Sequence, residues 1–143
     1  MIVISQSALL AAIDAVTVAL SGSHKVALFK NDYTPTSNTV IGDLEEADFT
    51  GYAAVTNSGW LAAAWATQGA AYQYMDTPAI FQPTGTTVSN VIYGWYFYAT
   101  GTPNVYILGE RFASPIPMND PGDQIMVIGA YAIADAGFPG VVN

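Results

Sequence analysis

Apolar and polar positions alternate most clearly between residues 91 and 112, where two segments, VIYGWYFYA and NVYILGERF, flank a Thr-Gly-Thr-Pro turn. Five of the chain's eighteen Phe, Trp and Tyr residues fall within six positions of the first segment. Aromatic and β-branched side chains favour strands, and the Gly and Pro of the turn supply its dihedral angles. The pattern predicts a hairpin at the centre of a β-sheet.

Both faces of the first strand of this hairpin are aromatic. Successive side chains of a strand point to opposite faces, which places Tyr93, Trp95 and Phe97 on one side and Tyr96 and Tyr98 on the other. A strand of this kind has to be covered twice. We expect the Trp95 side to fill the core, and a helix, a loop or a neighbouring subunit to cover the Tyr96 and Tyr98 side, with an N-terminal helix or a subunit as the first candidate.

That helix is predicted over residues 4 to 20, where apolar side chains recur at spacings of four, three and four: Leu9, Ile13, Val16 and Leu20. We expect it to dock on the rest of the chain or to form an oligomer contact. A signal peptide is the competing interpretation, but a basic N-terminal region is missing and Asp14 interrupts the apolar run. The segment is also too short and too polar to span a bilayer.

Further short strands are predicted over residues 24–29, 52–57, 60–66, 71–75, 79–82 and 124–133, with Gly, Pro and Asn between them. Strands at intervals of about 8 to 12 residues indicate a sandwich or barrel. Three prolines within residues 113–122 exclude a central strand there. The predicted fold is mainly β, an antiparallel β-sandwich of jelly-roll or immunoglobulin type. The N-terminal helix occupies residues 1–22 and a single β domain residues 23–143.

Composition changes this picture by suggesting an assembly. Charged residues make up only 10% of the chain, against ~25% in an ordinary soluble domain. We therefore expect part of the surface to be buried against other subunits. A net charge of −8, with Lys25, Lys30 and Arg111 as the only basic residues, disfavours direct binding of nucleic acid or of anionic membranes. The absence of cysteine excludes disulfides and thiolate metal sites.

The sequence contains few candidate catalytic residues. His24 is the only histidine, and neighbouring Ser23 would point to the opposite face of a strand, so the two cannot form a nucleophile and its base. Neither a Gly-x-Ser-x-Gly elbow nor a glycine-rich phosphate loop occurs. A hydrolase that uses two carboxylates is the weakest alternative, because it requires two acidic groups ~5 to 9.5 Å apart.

Residues 31 to 51 form a long polar excursion with four carboxylates in six positions: Asp43, Glu45, Glu46 and Asp48. Loops of this length usually contact a partner. The carboxylates do not follow EF-hand spacing, so a solvated acidic turn is favoured over a Ca²⁺ site. Arg111 is expected to form a structural ion pair with a residue other than Glu110, which points the other way.

The tryptophans allow a second functional interpretation. Trp60, Trp65, Trp95 and nearby tyrosines could stack on pyranose rings, as in a tail or fibre module that binds host carbohydrate. The same residue types are favoured at protein interfaces, and core or subunit packing is preferred for most of them. Partner contacts are instead predicted for the apolar helix positions, for Asp43, Glu45 and Glu46, and for Tyr96 and Tyr98.

Several short segments form a familiar pattern. LFKNDYTP at residues 28–35 and DLEEADFTGY at 43–52 are followed by VIYGWY at 91–96, GERF at 109–112 and PGDQI at 121–125. They resemble the LFxNxxTP, DFTEAxFxGY, YGYY, AERF and GDxIxI segments of a group of small virion proteins of tailed bacteriophages. The resemblance covers residues 26 to 133.

The resemblance implies a β-sandwich that binds the phage head or another part of the virion, without catalytic residues or a cofactor. The chain departs from the pattern in lacking basic residues at most positions and in its longer Pro-rich tail, which leaves its location on the particle open. The first hypothesis is a capsid decoration or minor head protein on the head surface. It would form a homo-oligomer, for example a trimer, with the major capsid protein or other virion proteins as partners.

Overall fold

The computed structural model describes residues 6–19, 24–57, 59–62, 64–66, 70–85 and 90–134. Within these residues the chain is mainly β, with antiparallel sheets and one N-terminal helix, so the predicted fold class is confirmed. The elements are α1 Gln6–Ala19, β1 His24–Phe29, a 3₁₀ helix Ile41–Asp43, β2 Val55–Thr56, β3 Ala64–Ala66, β4 Ala70–Tyr74, β5 Ala79–Phe81, β6 Asn90–Ala99, β7 Val105–Met118, β8 Ile125–Val127 and β9 Ala130–Ala134.

The chain forms two compact units. The first comprises Met1–Ser21, Ser58–Thr77 and Ile128–Asn143, and the second comprises Gly22–Asn57 and Pro78–Val127. The predicted division into a helix over residues 1–22 and a single β domain over 23–143 stays a prediction.

In the first unit α1 packs with the three-stranded sheet β3-β4-β9. Ile13 is fully buried, as expected for an apolar position on the docked side of an amphipathic helix. Next to it, the Asp14 carboxylate accepts a hydrogen bond of 2.6 Å from Gln73 Nε2 on β4. The tertiary contact thus combines an apolar anchor with a polar one, and the helix docks on a sheet of its own chain.

The second unit is built on a four-stranded sheet in the order β2-β1-β6-β7, with a separate ribbon of β5 and β8. The aromatic strand β6 lies between β1 and β7. The first strand of the predicted hairpin, β6, is central in the sheet, whereas its second strand, β7, forms the edge. Trp95 lies opposite Leu28 and Phe97 opposite Val26, and these four side chains are buried together on one face.

Tyr93 departs from the predicted alternation. The pairing of β6 with β7 shifts between Ile92 and Gly94, and Tyr93 packs against the cluster that contains Tyr96 and Tyr98. A bulge inserts extra residues in one strand and re-aims the side chain next to it. The expectation that Tyr93 shares a face with Trp95 was therefore wrong, because strict alternation cannot show a bulge.

Strand β7 continues to Met118, beyond the predicted end at residue 112, and includes Pro115 and Pro117. Proline cannot donate to a ladder and is tolerated on edge strands. The prolines thus exclude a central strand, as predicted, without ending this one. The segment predicted as one strand over 124–133 is two strands: β8 pairs with β5, and β9 pairs with β4.

Gly94 allows β1 and β6 to approach closely. A Cβ atom at this position would collide with the Phe29 ring and with the Glu110 carbonyl. We expect Gly94→Ala to destabilise the fold by about 1–3 kcal/mol through overpacking. Gly42→Ala is the matched control, because a Cβ at Gly42 meets nothing within 4 Å. Urea denaturation measures both variants, and equal stability of the two would contradict this account.

His24 begins β1 as a buried neutral side chain. It is 4% exposed and its ring stacks on Phe97 with the centroids 5.5 Å apart. Burial lowers the pKa of His24 below its usual value near 6.5. The unfolded chain therefore binds a proton on His24 at a higher pH than the folded chain does.

Above about pH 6.5, His24 is neutral in both states and should not make the free energy of unfolding depend on pH. As the pH falls from 6.5 toward the lowered pKa of the folded state, the free energy of unfolding should decrease. The slope cannot exceed about 1.4 kcal/mol per pH unit, the value for one proton. His24→Phe keeps the ring stack and removes the titration. Thermal unfolding at pH 7.5 and at 5.0 should show a smaller loss for the variant than for the parent chain. The idea fails if both lose the same amount.

Candidate partner-binding surface

The Tyr96 and Tyr98 face of the four-stranded sheet is covered by the chain's own residues 33 to 54. Tyr96 is 2% exposed and Tyr98 7% exposed, and both belong to a buried cluster with Leu44 of this segment. Tyr33 and Ile41 pack against the same cluster. The expected cover by the helix or a neighbouring subunit is corrected: the cover is a loop of the same unit. Tyr96 and Tyr98 lie beneath it and present little surface to a partner.

Asn31 fixes the start and the middle of this covering loop to each other. Its Nδ2 donates to the Asp43 carbonyl at 2.9 Å, and its Oδ1 accepts from the Glu45 N–H at 2.8 Å. The Ala47 N–H then donates to the Leu28 carbonyl at 3.0 Å. The loop therefore extends the hydrogen bonding of β1 beyond its short pairing with β2.

Tyr52 joins the loop to the sheet through its hydroxyl. The hydroxyl oxygen accepts the Leu28 N–H at 3.1 Å and donates to Glu46 Oε1 at 2.9 Å. Burial raises the pKa of the Tyr52 phenol well above its usual value, with the Glu46 charge adding to the effect. The pKa of Tyr96 is raised by burial and then by the same carboxylate. Both phenols therefore remain neutral donors over the physiological pH range.

Lys30 holds two more of the carboxylates. Its Nζ lies 2.7 Å from Asp48 Oδ2 and 3.3 Å from Glu45 Oε1. The hydrogen bond from Lys30 lowers the pKa of Asp48, and the same bond raises the pKa of Lys30. Asp43 caps the 3₁₀ helix by accepting the Val40 N–H at 3.0 Å.

The predicted sites Asp43, Glu45 and Glu46 thus lie together in the loop as exposed side chains with partners inside the chain. Their roles are structural ones that the sequence did not reveal. Across the described residues, groups of three or more His, Cys, Asp or Glu side chains that could hold a metal ion are absent.

Arg111 ties β7 to the start of the loop. Its Nη1 pairs with Asp32 Oδ1 and donates to the Tyr33 carbonyl at 3.2 Å. The guanidinium also lies 5.2 Å from the centroid of the Tyr93 ring, within cation–π distance. The predicted structural ion pair is confirmed, and its partner is Asp32, not Glu110.

Each of the remaining predicted residues is buried or half-buried, or has a side chain that lies outside the described structure. Trp95 is 7% exposed in the core, which removes it as a sugar platform, whereas Trp60 is half-buried. The side chains of Leu9, Val16 and Trp65 lie outside the described structure, as does the whole of Leu20. Ile13 is buried within its own unit.

Two pairs of exposed apolar side chains were not predicted from the sequence. Ile80 on β5 and Met126 on β8 lie directly opposite each other, 53% and 59% exposed. Val40 in the loop and Val105 on β7 are 58% and 55% exposed. Alternation did not mark an outward side for Ile80 and Met126, because every residue of the short strands β5 and β8 is apolar. Val40 lies in a loop, where alternation does not apply.

Comparison with protein-family models, with curated protein sequences and with solved structures finds no match for this chain. Among the described residues, the one helix is not long and apolar enough to cross a membrane.

Tyr52→Phe tests the hydroxyl that joins the loop to the sheet. The variant leaves the buried Leu28 N–H without its acceptor, and we expect a loss of about 1–3 kcal/mol in the free energy of unfolding. Tyr98→Phe is the matched control, because it removes the same hydroxyl group from another tyrosine buried beneath the covering loop. If urea denaturation gives both variants the same stability, the Tyr52 bond does not hold the loop.

Proposed function

We propose that the chain is a non-enzymatic virion structural protein, a capsid decoration protein that binds the head shell as a homo-oligomer. The observation that carries the proposal is the pair Ile80 and Met126, two opposed apolar side chains that are both more than half exposed. Contiguous exposed apolar surface on a folded chain marks a contact with another macromolecule. The ribbon of β5 and β8 is the proposed contact surface.

The distribution of charge supports an apolar contact. Lys30 and Arg111, two of the three basic residues, are engaged in ion pairs within the covering loop. The ribbon strands AIF and IMV contain no charged residue. Burying apolar surface contributes roughly 25 cal/mol per Å², so cohesion between subunits and shell needs contact area and no chemistry.

The resemblance of the sequence to phage virion proteins supports the same role, and the structure gives the matching segments a physical purpose. Asn31 and Lys30 of the first segment fasten the loop, while Arg111 of the later GERF segment pairs with Asp32. These residues maintain a fold and are not arranged around a reacting centre. Carbohydrate binding by a tail or fibre module has less support, because Trp95 is buried.

The proposal predicts that the purified chain sediments as an oligomer and co-sediments with expanded capsids of the phage that carries it. Ile80→Lys places a charge in the proposed contact and should abolish one or both associations, because a buried unpaired ammonium is costly. Ser114→Lys, at an exposed position of β7, adds the same charge outside the ribbon and should leave both intact.

Analytical ultracentrifugation measures the oligomer, and pelleting of capsids measures the shell contact. A monomer that does not pellet with capsids would remove the proposed function. Association that is unchanged by Ile80→Lys would retain the role and reject the ribbon as its surface.

A further inference from the structure

The outer edge of β7 lines a groove. Two adjoining depressions of about 520 Å³ and 420 Å³ share Thr39 and Tyr106. Residues 103–109 form one wall and residues 35–37 and 39–42 form the other. We refer to the two depressions together as the edge groove.

The groove follows the backbone edge of the strand and not a face of the sheet. Every residue from 103 to 109 lines it, whereas a face would contribute only every second residue. Among the described strands β7 is the outermost in its sheet, so its outward N–H and C=O groups face no described strand. Within the described residues, backbone hydrogen bonds between 103–109 and the opposite wall are absent.

The chemistry of the groove is uncharged throughout. Its lining contains no Asp, Glu, Lys, Arg or His, in a chain whose net charge is −8. Val40 and Val105 stand on opposite walls and are each more than half exposed. An occupant with charged side chains would lose hydration here without gaining a partner.

The second half of β7 differs from the first. Pro115 and Pro117 lie two positions apart, so their backbone nitrogen atoms lie on the same edge of the strand. Because β6 continues to pair with this half, the missing N–H groups fall on the outer edge. Proline on an edge strand prevents a further strand from adding, whereas residues 105–109 contain no proline and no charged residue. The register with β6 shifts at Ile107 within this segment, so an added strand has to pair across that irregularity.

We propose that the edge groove binds an uncharged, extended peptide segment of a partner protein, which adds to β7 as a strand over residues 105–109. Backbone hydrogen bonds supply the affinity, and the uncharged walls disfavour charged sequences. A second copy of the chain fits less well, because its β7 carries β6 on the inner side and would bring a whole sheet against the far wall. The proposal does not depend on the virion role.

The test uses the peptide acetyl-Val-Thr-Val-Thr-Val-amide and the ¹⁵N-labelled full chain. We expect saturable amide shifts confined to residues 36–42 and 104–109, since Pro35 and Pro103 have no amide proton. The same peptide with alternate amides N-methylated keeps its side chains and loses donors, so it should not bind. An analogue with Glu in place of Thr should not bind either. Absence of shifts, or equal shifts with the N-methylated peptide, would overturn strand addition.

Variants place the site. Val105→Glu should weaken peptide binding at least about tenfold, and Val40→Glu should do so from the opposite wall. Ser114→Glu adds the same charge on the same strand outside the groove and should leave binding unchanged. Equal binding by all three variants would overturn the assignment. A concentration-dependent dimer that protects residues 105–109 from amide exchange would overturn it in favour of a second copy.

Discussion

A central strand that is aromatic on both faces has to be covered twice, and the second unit is organised by this requirement. Trp95 and Phe97 are buried with Leu28 and Val26 of β1. The opposite face would remain open in a single sheet, and the chain closes it with residues 33 to 54. The loop pairs with β1 only at an isolated bridge, Phe29 with Glu46, so it also depends on the buried Leu44 side chain and on individual polar side-chain contacts. This explains why most of the charged side chains of the second unit lie in the loop or contact it.

Those contacts also explain the motif-like segments of the sequence. Asp32 and Arg111 are 79 positions apart and form one ion pair, which brings the first and second halves of the pattern together. Asn31 satisfies two backbone groups at the C-terminal end of the 3₁₀ helix, and Tyr52 uses its hydroxyl as both acceptor and donor. Residues that look like candidate chemistry in the sequence are required by the loop. Their concentration there leaves much of the remaining surface of this unit uncharged.

Sequence reasoning succeeded where structure is local. Residues 24–29 are a strand as predicted, and the predicted β6 differs by one residue from Asn90–Ala99, because turn residues bound both and their side chains suit strands. It failed where structure depends on pairing between residues that are far apart in the sequence. Tyr93 changes side at a bulge, and the apolar run after residue 124 belongs to two sheets. The length of the covering loop predicts a partner contact, which stays a prediction. Which face the loop covers depends on tertiary contacts that no periodicity encodes.

The outer edge of β7 is only partly protected against pairing with another strand. An open edge strand exposes backbone groups that can pair with other chains, and proteins usually block it with proline, charge or a cover. Pro115 and Pro117 block the second half of β7, while residues 105–109 have neither proline nor charge. The wall formed by residues 35–42 stands beside this open part without hydrogen bonds to its backbone. The prolines prevent another strand from pairing along the whole length of β7. The uncharged residues 105–109 leave a short stretch where one extended chain can pair.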